Sequence, residues 1–527
     1  MAFLISGKTP RLDTEVTIHT TTDPEKGLAD GSFSSECSTP TSSSSESSQE
    51  RIDKGIVDWD GLYDPENPVN FSCLAKFTNV GIVTTLTFIT QLASSMLAPG
   101  VPELMAELGS SSSLLASFVV SVYVLGFAVG PLVLAPGSEL VGRKVIYDIC
   151  NLGFTVFSAA CAVSGNLGML IVFRFLQGCF GSAPLTNGGG TIADLIVQEK
   201  RGGVLALYAL GIFLGPVIGP VAGGYLVAAH GWRWVFWVLT IIEGILTVLS
   251  FLFLRETYPP VLLKRKTQHL IKKTRNTNLR PKCDNINSHN RRSSQLFIQA
   301  IARPTKMFLF SPIVSALSIY GGILYGYQYL MFTTFTSVFQ TQYHFPTKSS
   351  GLSFLGIGIG ALFGLFIIGI ISDRIVKAKS KPTPSSPSGG AMKPEYRLPP
   401  LLIGALFTPI GLFLYGWAAE YKMHWVVPEI GTALVGVGNV AAFVCIMGYV
   451  IDAFGVYAAS ALAAIMVVRS IMGALLPLAG QRMYDVLGLG WGNSLLGFIA
   501  VACIPVPWAL LRYGERMRMS FDVRRLE

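Results

Sequence analysis

Twelve long apolar runs alternate with short polar connections along the chain. The first six fall near 78–99, 114–135, 146–164, 167–190, 204–229 and 233–254, and the second six near 307–337, 351–372, 399–418, 425–451, 457–480 and 491–512. An α-helix rises about 1.5 Å per residue, so ~20 apolar residues cross the ~30 Å hydrocarbon core of a bilayer. The pattern predicts an all-α polytopic membrane protein with twelve transmembrane helices in two pseudo-symmetric bundles, one over 76–254 and the other over 307–513. A disordered tail at 1–75, a central loop at 255–306 and a second tail at 514–527 complete the predicted organisation.

The fifth run departs from ordinary apolar composition over 209–226, ALGIFLGPVIGPVAGGYL. Gly211, Gly215, Gly219 and Gly223 recur every four residues, which puts them on one helix face. Pro216 and Pro220 repeat at the same interval, and Gly224 widens the smooth stripe. In a water-exposed helix each interior glycine costs about 1 kcal/mol and each proline about 3. In lipid, small residues let neighbouring backbones approach, and helix contact replaces the lost propensity. The pattern predicts a bent helix at the seam between two moving bundles.

Composition removes the soluble classes. Hydrophobic residues make up 51% of the chain and charged residues 13%, with a mean hydropathy of +0.51, too little charge to cover a soluble surface of this size. The net charge of +9 does not point to nucleic acid, because the basic residues gather in loops. Of the 40 Lys and Arg, only Arg174 and Arg469 lie in spans, and only Arg233, Lys348, Lys422 and Arg482 lie in the odd-numbered connections. The rest occupy the tails, the central loop and the even-numbered connections, so both termini and the central loop are expected to be cytosolic. The eight cysteines have no metal-like spacing and the six histidines do not converge, so neither a cofactor nor an enzyme site is expected. The serine-rich tract 34–50 has little to bury and reads as a disordered, solvated linker, and no signal peptide follows the start.

Ionisable side chains inside a bilayer are costly and therefore candidates for function. Arg174 in the fourth span is placed to sense or shuttle proton charge, or to rest on backbone carbonyls. Glu243, among apolar residues of the sixth span, is placed to bind and release a proton. Arg469 in the eleventh either meets an anionic substrate or holds an inter-helix pair. Gly137-Ser-Glu139-Leu-Val-Gly-Arg143-Lys144 closes the second span, and Gly369-Ile-Ile-Ser-Asp373-Arg374 closes the eighth, so an acid and a base recur at the same corner of each half. Interfacial snorkelling would explain any one of these charges; their recurrence predicts a charge relay at a cytosolic gate. Tyr325, Gln328 and Tyr329 in the seventh span, with Gln91, Gln177, Asn187 and Asn439, are the candidates for lining a substrate cavity. Two similar six-helix units around a midplane pathway are the plan of a secondary transporter.

From Asp58 to Arg518 the chain resembles the major facilitator superfamily, and within it the fungal drug:proton antiporters with twelve spans. The resemblance rests on WDGxxDPENPxN before the first span, the loop Gly137–Lys144, Arg174-Phe-Leu-Gln177-Gly178, the glycine–proline fifth span and Arg255-Glu-Thr-Tyr-Pro-Pro-Val-Leu-Leu263. The loop departs from the family signature at Ala135 and Leu140, where a glycine and a base are usual. The resemblance implies a proton-coupled antiporter that exports small amphipathic compounds, such as drugs, toxins or fungal secondary metabolites. It also implies a monomer in the plasma membrane, with the vacuolar membrane as the other option. Polyamine or nutrient transport on the same fold is the alternative, and a non-transporting membrane sensor is a further one.

Overall fold

The computed structural model describes residues 55–61, 63–282, 293–379, 393–454 and 458–520. The serine-rich tract and the side chain of Asp373 lie outside the described residues. The first half contains α1 (Cys73–Ser95), α2 (Ser113–Val141), α3 (Arg143–Ala162), α4 (Leu167–Leu195, with a step at Ser182), α5 (Gln198–His230) and α6 (Arg233–Phe253). The second contains α7 (Pro312–Tyr343), α8 (Leu355–Lys379), α9 (Pro399–Glu420), α10 (Val426–Phe454) and the long helical stretch Ala458–Cys503. Among the described residues, ten helical stretches are long and apolar enough to cross a membrane, and the bent pair Ile301–Phe310 and Pro312–Tyr343 makes eleven.

The last stretch counts as two spans. Ser460–Met519 holds 60 residues, about 90 Å if straight, roughly three times the bilayer core. It turns at Gly488, whose φ of 75° and ψ of 174° glycine alone adopts without strain. Glu420, at the end of α9, accepts hydrogen bonds from the Leu489 and Gly490 N–H groups at 2.8 and 3.2 Å, capping the new helix. The two limbs are α11 (458–487) and α12 (489–503), which brings the spans among the described residues to twelve.

The halves repeat each other's packing. α1 lies on α5, α2 on α4 and α3 on α6, as α7 lies on α11, α8 on α10 and α9 on α12. Close crossings use glycine in both: a Cβ on Gly178 of α4 would sit 2.1 Å from the Tyr123 carbonyl oxygen of α2, and one on Gly360 of α8 would sit 1.9 Å from that of Ala433 on α10. The halves meet through α2 with α11 and through α5 with α8.

Two segments differ from the sequence expectation. The tail expected to be disordered to residue 75 is ordered over its described part: Ile56–Val57 (β1) pairs in parallel with Arg280–Pro281 (β2) from the central loop. The central loop also carries a helix, Pro259–Thr274. Asp64 explains the order. It ion-pairs with Lys266 at 2.8 Å and accepts the Asp60 and Glu66 N–H groups, both at 2.8 Å. Burial pushes its carboxyl up, but those bonds outweigh burial and hold it below the ordinary carboxylate range. The seventh span begins at Pro312 rather than 307, because residues 301–310 belong to a helix that meets it at 96°. Pro312 forces extended backbone on Ser311 (φ −98°, ψ 107°) and breaks the run there.

Candidate functional site

The fifth-span glycines form a close contact, but mainly with their own half. Cβ atoms on Gly215, Gly219 and Gly223 would lie 2.7 Å from Gln91 Cβ, 2.6 Å from the Leu92 oxygen and 2.0 Å from the Met96 oxygen, on α1 and the residue that ends it, with Gly211 nearest the Thr84 oxygen at 3.2 Å. The stripe expected at the seam is therefore the α1 face. The seam is the adjoining face: Gly351 meets the Pro220 carbonyl, Gly358 meets the Val217 side chain, and Gly224 lies against the Thr347 and Lys348 carbonyls. The prolines also create a need for partners. Pro220 has no N–H to give the Pro216 carbonyl, and the Ser95 hydroxyl of α1 donates to that oxygen at 2.9 Å instead. These contacts join the two halves at the end of the bundle away from the Lys/Arg-rich connections.

Deeper between the helices lies a chain of buried polar groups. Arg174 is fully buried. It donates to the Ala93 and Val119 carbonyls at 3.0 and 3.4 Å and to Gln177 Oε1 at 3.2 Å, between the Tyr123 and Phe236 rings. Gln177 passes a hydrogen bond to Ser158 at 2.7 Å. No carboxylate pairs with Arg174 among the described residues, so its geometry is that of a fixed strut on carbonyls and ring faces. Next along α1, Ser94 receives the Tyr329 hydroxyl at 3.0 Å, and Tyr329 lies 3.5 Å from the Tyr325 hydroxyl. Tyr325 in turn stacks under Arg469 at 4.4 Å. The chain therefore runs from the first half into the second.

Glu243 stands apart from it. It is fully buried on α6, and neither carboxyl oxygen has a hydrogen-bond partner among the described residues. Of the other cavity candidates, Gln91 is buried with its Cβ under Gly215, and Asn187 is held by the Ser138 hydroxyl at 3.1 Å. Gln328 is half-buried, and both amide atoms of Asn439 are buried without partners.

At the basic end, the ion pairs differ from those expected. Arg143 pairs with Asp194 of α4 at 3.2 Å and donates to the Ser138 hydroxyl, not to Glu139. Glu139 is exposed and forms no ion pair among the described residues. Lys144 donates to the Phe251 carbonyl at 3.0 Å, at the C-terminal end of α6. Arg374 is exposed and likewise unpaired among the described residues. The repeated element is another one: Arg397, before α9, pairs with Asp452 of α10, as Arg143 pairs with Asp194. Each aspartate stands four residues after a glycine, Gly190 or Gly448, at which a Cβ would meet the arginine at 2.7 Å. That Gly-x-x-x-Asp repeat was available in the sequence. Glu256, from the Glu-Thr-Tyr-Pro-Pro stretch, fastens the same corner by accepting the Arg143, Lys144, Thr257 and Tyr258 N–H groups. Glu429 is a further acid that the pattern did not single out; it accepts the Gly356 N–H at 2.9 Å and caps the start of α8.

Two six-helix halves joined by the seams α2–α11 and α5–α8, with a polar chain between them, have the plan of a multi-pass membrane transporter. Residues 83–477 match the family model described as Major Facilitator Superfamily, and the chain belongs to that superfamily. It is 70% identical over 467 residues to the MFS-type transporter tndD of Aspergillus flavipes, covering 89% of this chain and 86% of that one. It is 51% identical over 468 residues to the MFS-type transporter penM of Penicillium rubens, covering 89% and 90%. It is 49% identical over 470 residues to the efflux pump radE of Floropilus chiversii, covering 89% and 86%. Among solved structures, the xylose transporter XylE from E. coli in a partially occluded inward-open conformation matches with a TM-score of 0.62 at 14% identity, over 82% of this chain and 97% of that one. This last likeness concerns the fold alone.

Proposed function

We propose that the protein exports small amphipathic molecules, of the fungal secondary-metabolite kind, in exchange for protons. It works as a monomer in the plasma membrane with both termini in the cytosol. The loop charges support that orientation, and the efflux pump among its relatives supports the direction of transport.

Glu243 carries the proton part of this reading. A carboxylate without partners in a dry interior costs several kcal/mol, and the Glu243 carboxyl has neither water-facing surface nor a hydrogen bond among the described residues in the conformation closed at the α5–α8 seam. The neutral acid suits this closed state, and the anion suits one in which water reaches α6. A proton bound from outside therefore favours closure of the outer end, and its loss to the cytosol resets the cycle. Substrate then leaves on the outward-open stroke, with Arg143–Asp194 and Arg397–Asp452 bracing the cytosolic ends of the two halves.

The test is efflux of lipophilic fluorescent dyes from energised cells expressing the protein. Efflux that collapses when a protonophore dissipates the gradient is expected. Efflux indifferent to the protonophore would contradict proton exchange.

A further inference from the structure

The two intramembrane arginines differ in one respect. Arg174 donates to two carbonyls and to Gln177, leaving only its Nη2 buried without a partner among the described residues. Arg469 is only 8% exposed and has no hydrogen bond or ion pair among the described residues, and its Nε is buried without a partner. Its guanidinium lies over the Tyr325 ring of α7 at 4.4 Å and the Phe443 ring of α10 at 5.4 Å. Phe443 is met edge-on by Phe213 of α5, 5.3 Å away, so the cluster spans the seam between the halves. One helical turn before Phe443, the Asn439 amide has donor and acceptor both buried and unpartnered.

A desolvated cation without an anion is costly, and ring faces offset only part of that cost. A guanidinium is a planar fork matched to carboxylate geometry. The flanking rings suit a flat body, and an amide with both functions open suits a carbonyl or hydroxyl beside the charge. We infer that Arg469 is the subsite for an anionic group of the transported molecule, so that preferred substrates are planar organic acids with a carboxylate or an equally acidic enol. This rests on the transport reading above and gives that site its substrate class. Asn439 is the adjoining polar contact, and Tyr325 and Phe443 are the faces between which the flat body slides.

The probes are pyrenebutyric acid and its methyl ester, which share a fluorescent body and differ in the charge. Their equilibrium binding is measured to the full-length protein in lipid nanodiscs, in wild type, Arg469→Lys and Arg469→Gln. The acid is expected to bind wild type about ten-fold or more tighter than the ester, as a charge-assisted contact gives. Arg469→Gln removes that preference while ester binding persists, and Arg469→Lys retains part of it. Ester binding equal to acid binding in wild type, absence of acid binding, or an undiminished acid preference in Arg469→Gln overturns the assignment. Ester binding in Arg469→Gln shows that the variant is folded, and a loss of both ligands in Arg469→Gln with both retained in Arg469→Lys assigns a structural role instead. Binding needs no gradient, so acid selectivity in a protein whose efflux ignores protonophores would leave this subsite standing and remove only the proton exchange.

Discussion

Gly223→Ala is expected to bring transport to background while the protein still reaches the membrane. The added Cβ would lie 2.0 Å from the Met96 carbonyl oxygen and 3.0 Å from its carbon, both backbone, so no side-chain rotation relieves it. α1 and α5 must separate by about an ångström, and close-packed interiors absorb such shifts poorly, at about 1–3 kcal/mol or more. The shift does not stay local. The same helix carries Val217, Pro220 and Gly224 on its seam with α8, and the Pro216 carbonyl held by Ser95 on α1. Displacing α5 misaligns both faces at once. Gly219→Leu acts in the same way, since its Cβ meets the Leu92 oxygen at 2.6 Å. Insertion depends on hydropathy, which neither substitution lowers, so surface amounts of a fluorescently tagged protein should match wild type. Gly81→Ala, where nothing lies within 4 Å of the new Cβ, is the control and should transport normally. Wild-type efflux in Gly223→Ala would remove the role assigned to the fifth helix.

Glu243→Gln is expected to separate transport from the proton gradient. The amide keeps the shape and the neutral state that the dry site favours, but it cannot lose a proton, so the closed conformation is stabilised whether or not the outside is acidic. Gradient-driven efflux should fall to background, while substrate still binds to the purified protein. Thermal stability should be unchanged or raised, because the dry site can then never hold a charge. Gradient-driven efflux at the wild-type rate in Glu243→Gln would contradict the proton site.

Much of this architecture is legible in the sequence because lipid imposes one simple rule on each span. Length and hydropathy place the runs, and Lys/Arg asymmetry orders them. The failures occur where a partner in another helix decides the outcome. Gly215, Gly219 and Gly223 announce close contact, but their spacing does not say with which neighbour, and α1 rather than the other half takes that face. Lys144 and Glu139 look like members of one charge cluster, yet Lys144 turns to the Phe251 carbonyl and Asp194 takes Arg143. Asp194 and Asp452 look like ordinary acids at span ends until Gly190 and Gly448, one turn earlier, let an arginine lie against the helix. The break at Gly488 was legible as a loop but not as a turn capped by Glu420, because the cap comes from a residue some seventy positions away in chain order. Arg469 is visible as an intramembrane cation; only the packing shows it to be without an anion among the described residues.

Separation of the outer ends in every cycle is the central claim, and one reversible cross-link measures it. Lys348, before α8, lies over the Tyr225 ring of α5 at 5.5 Å, and both residues are exposed. Tyr225→Cys with Lys348→Cys, bridged by a short reducible bis-thiol reagent, ties the halves together at that end. Efflux should drop to background on cross-linking and return on reduction, with each single variant indifferent to the reagent. Undiminished efflux from the fully cross-linked protein would contradict a cycle in which the α5–α8 seam opens.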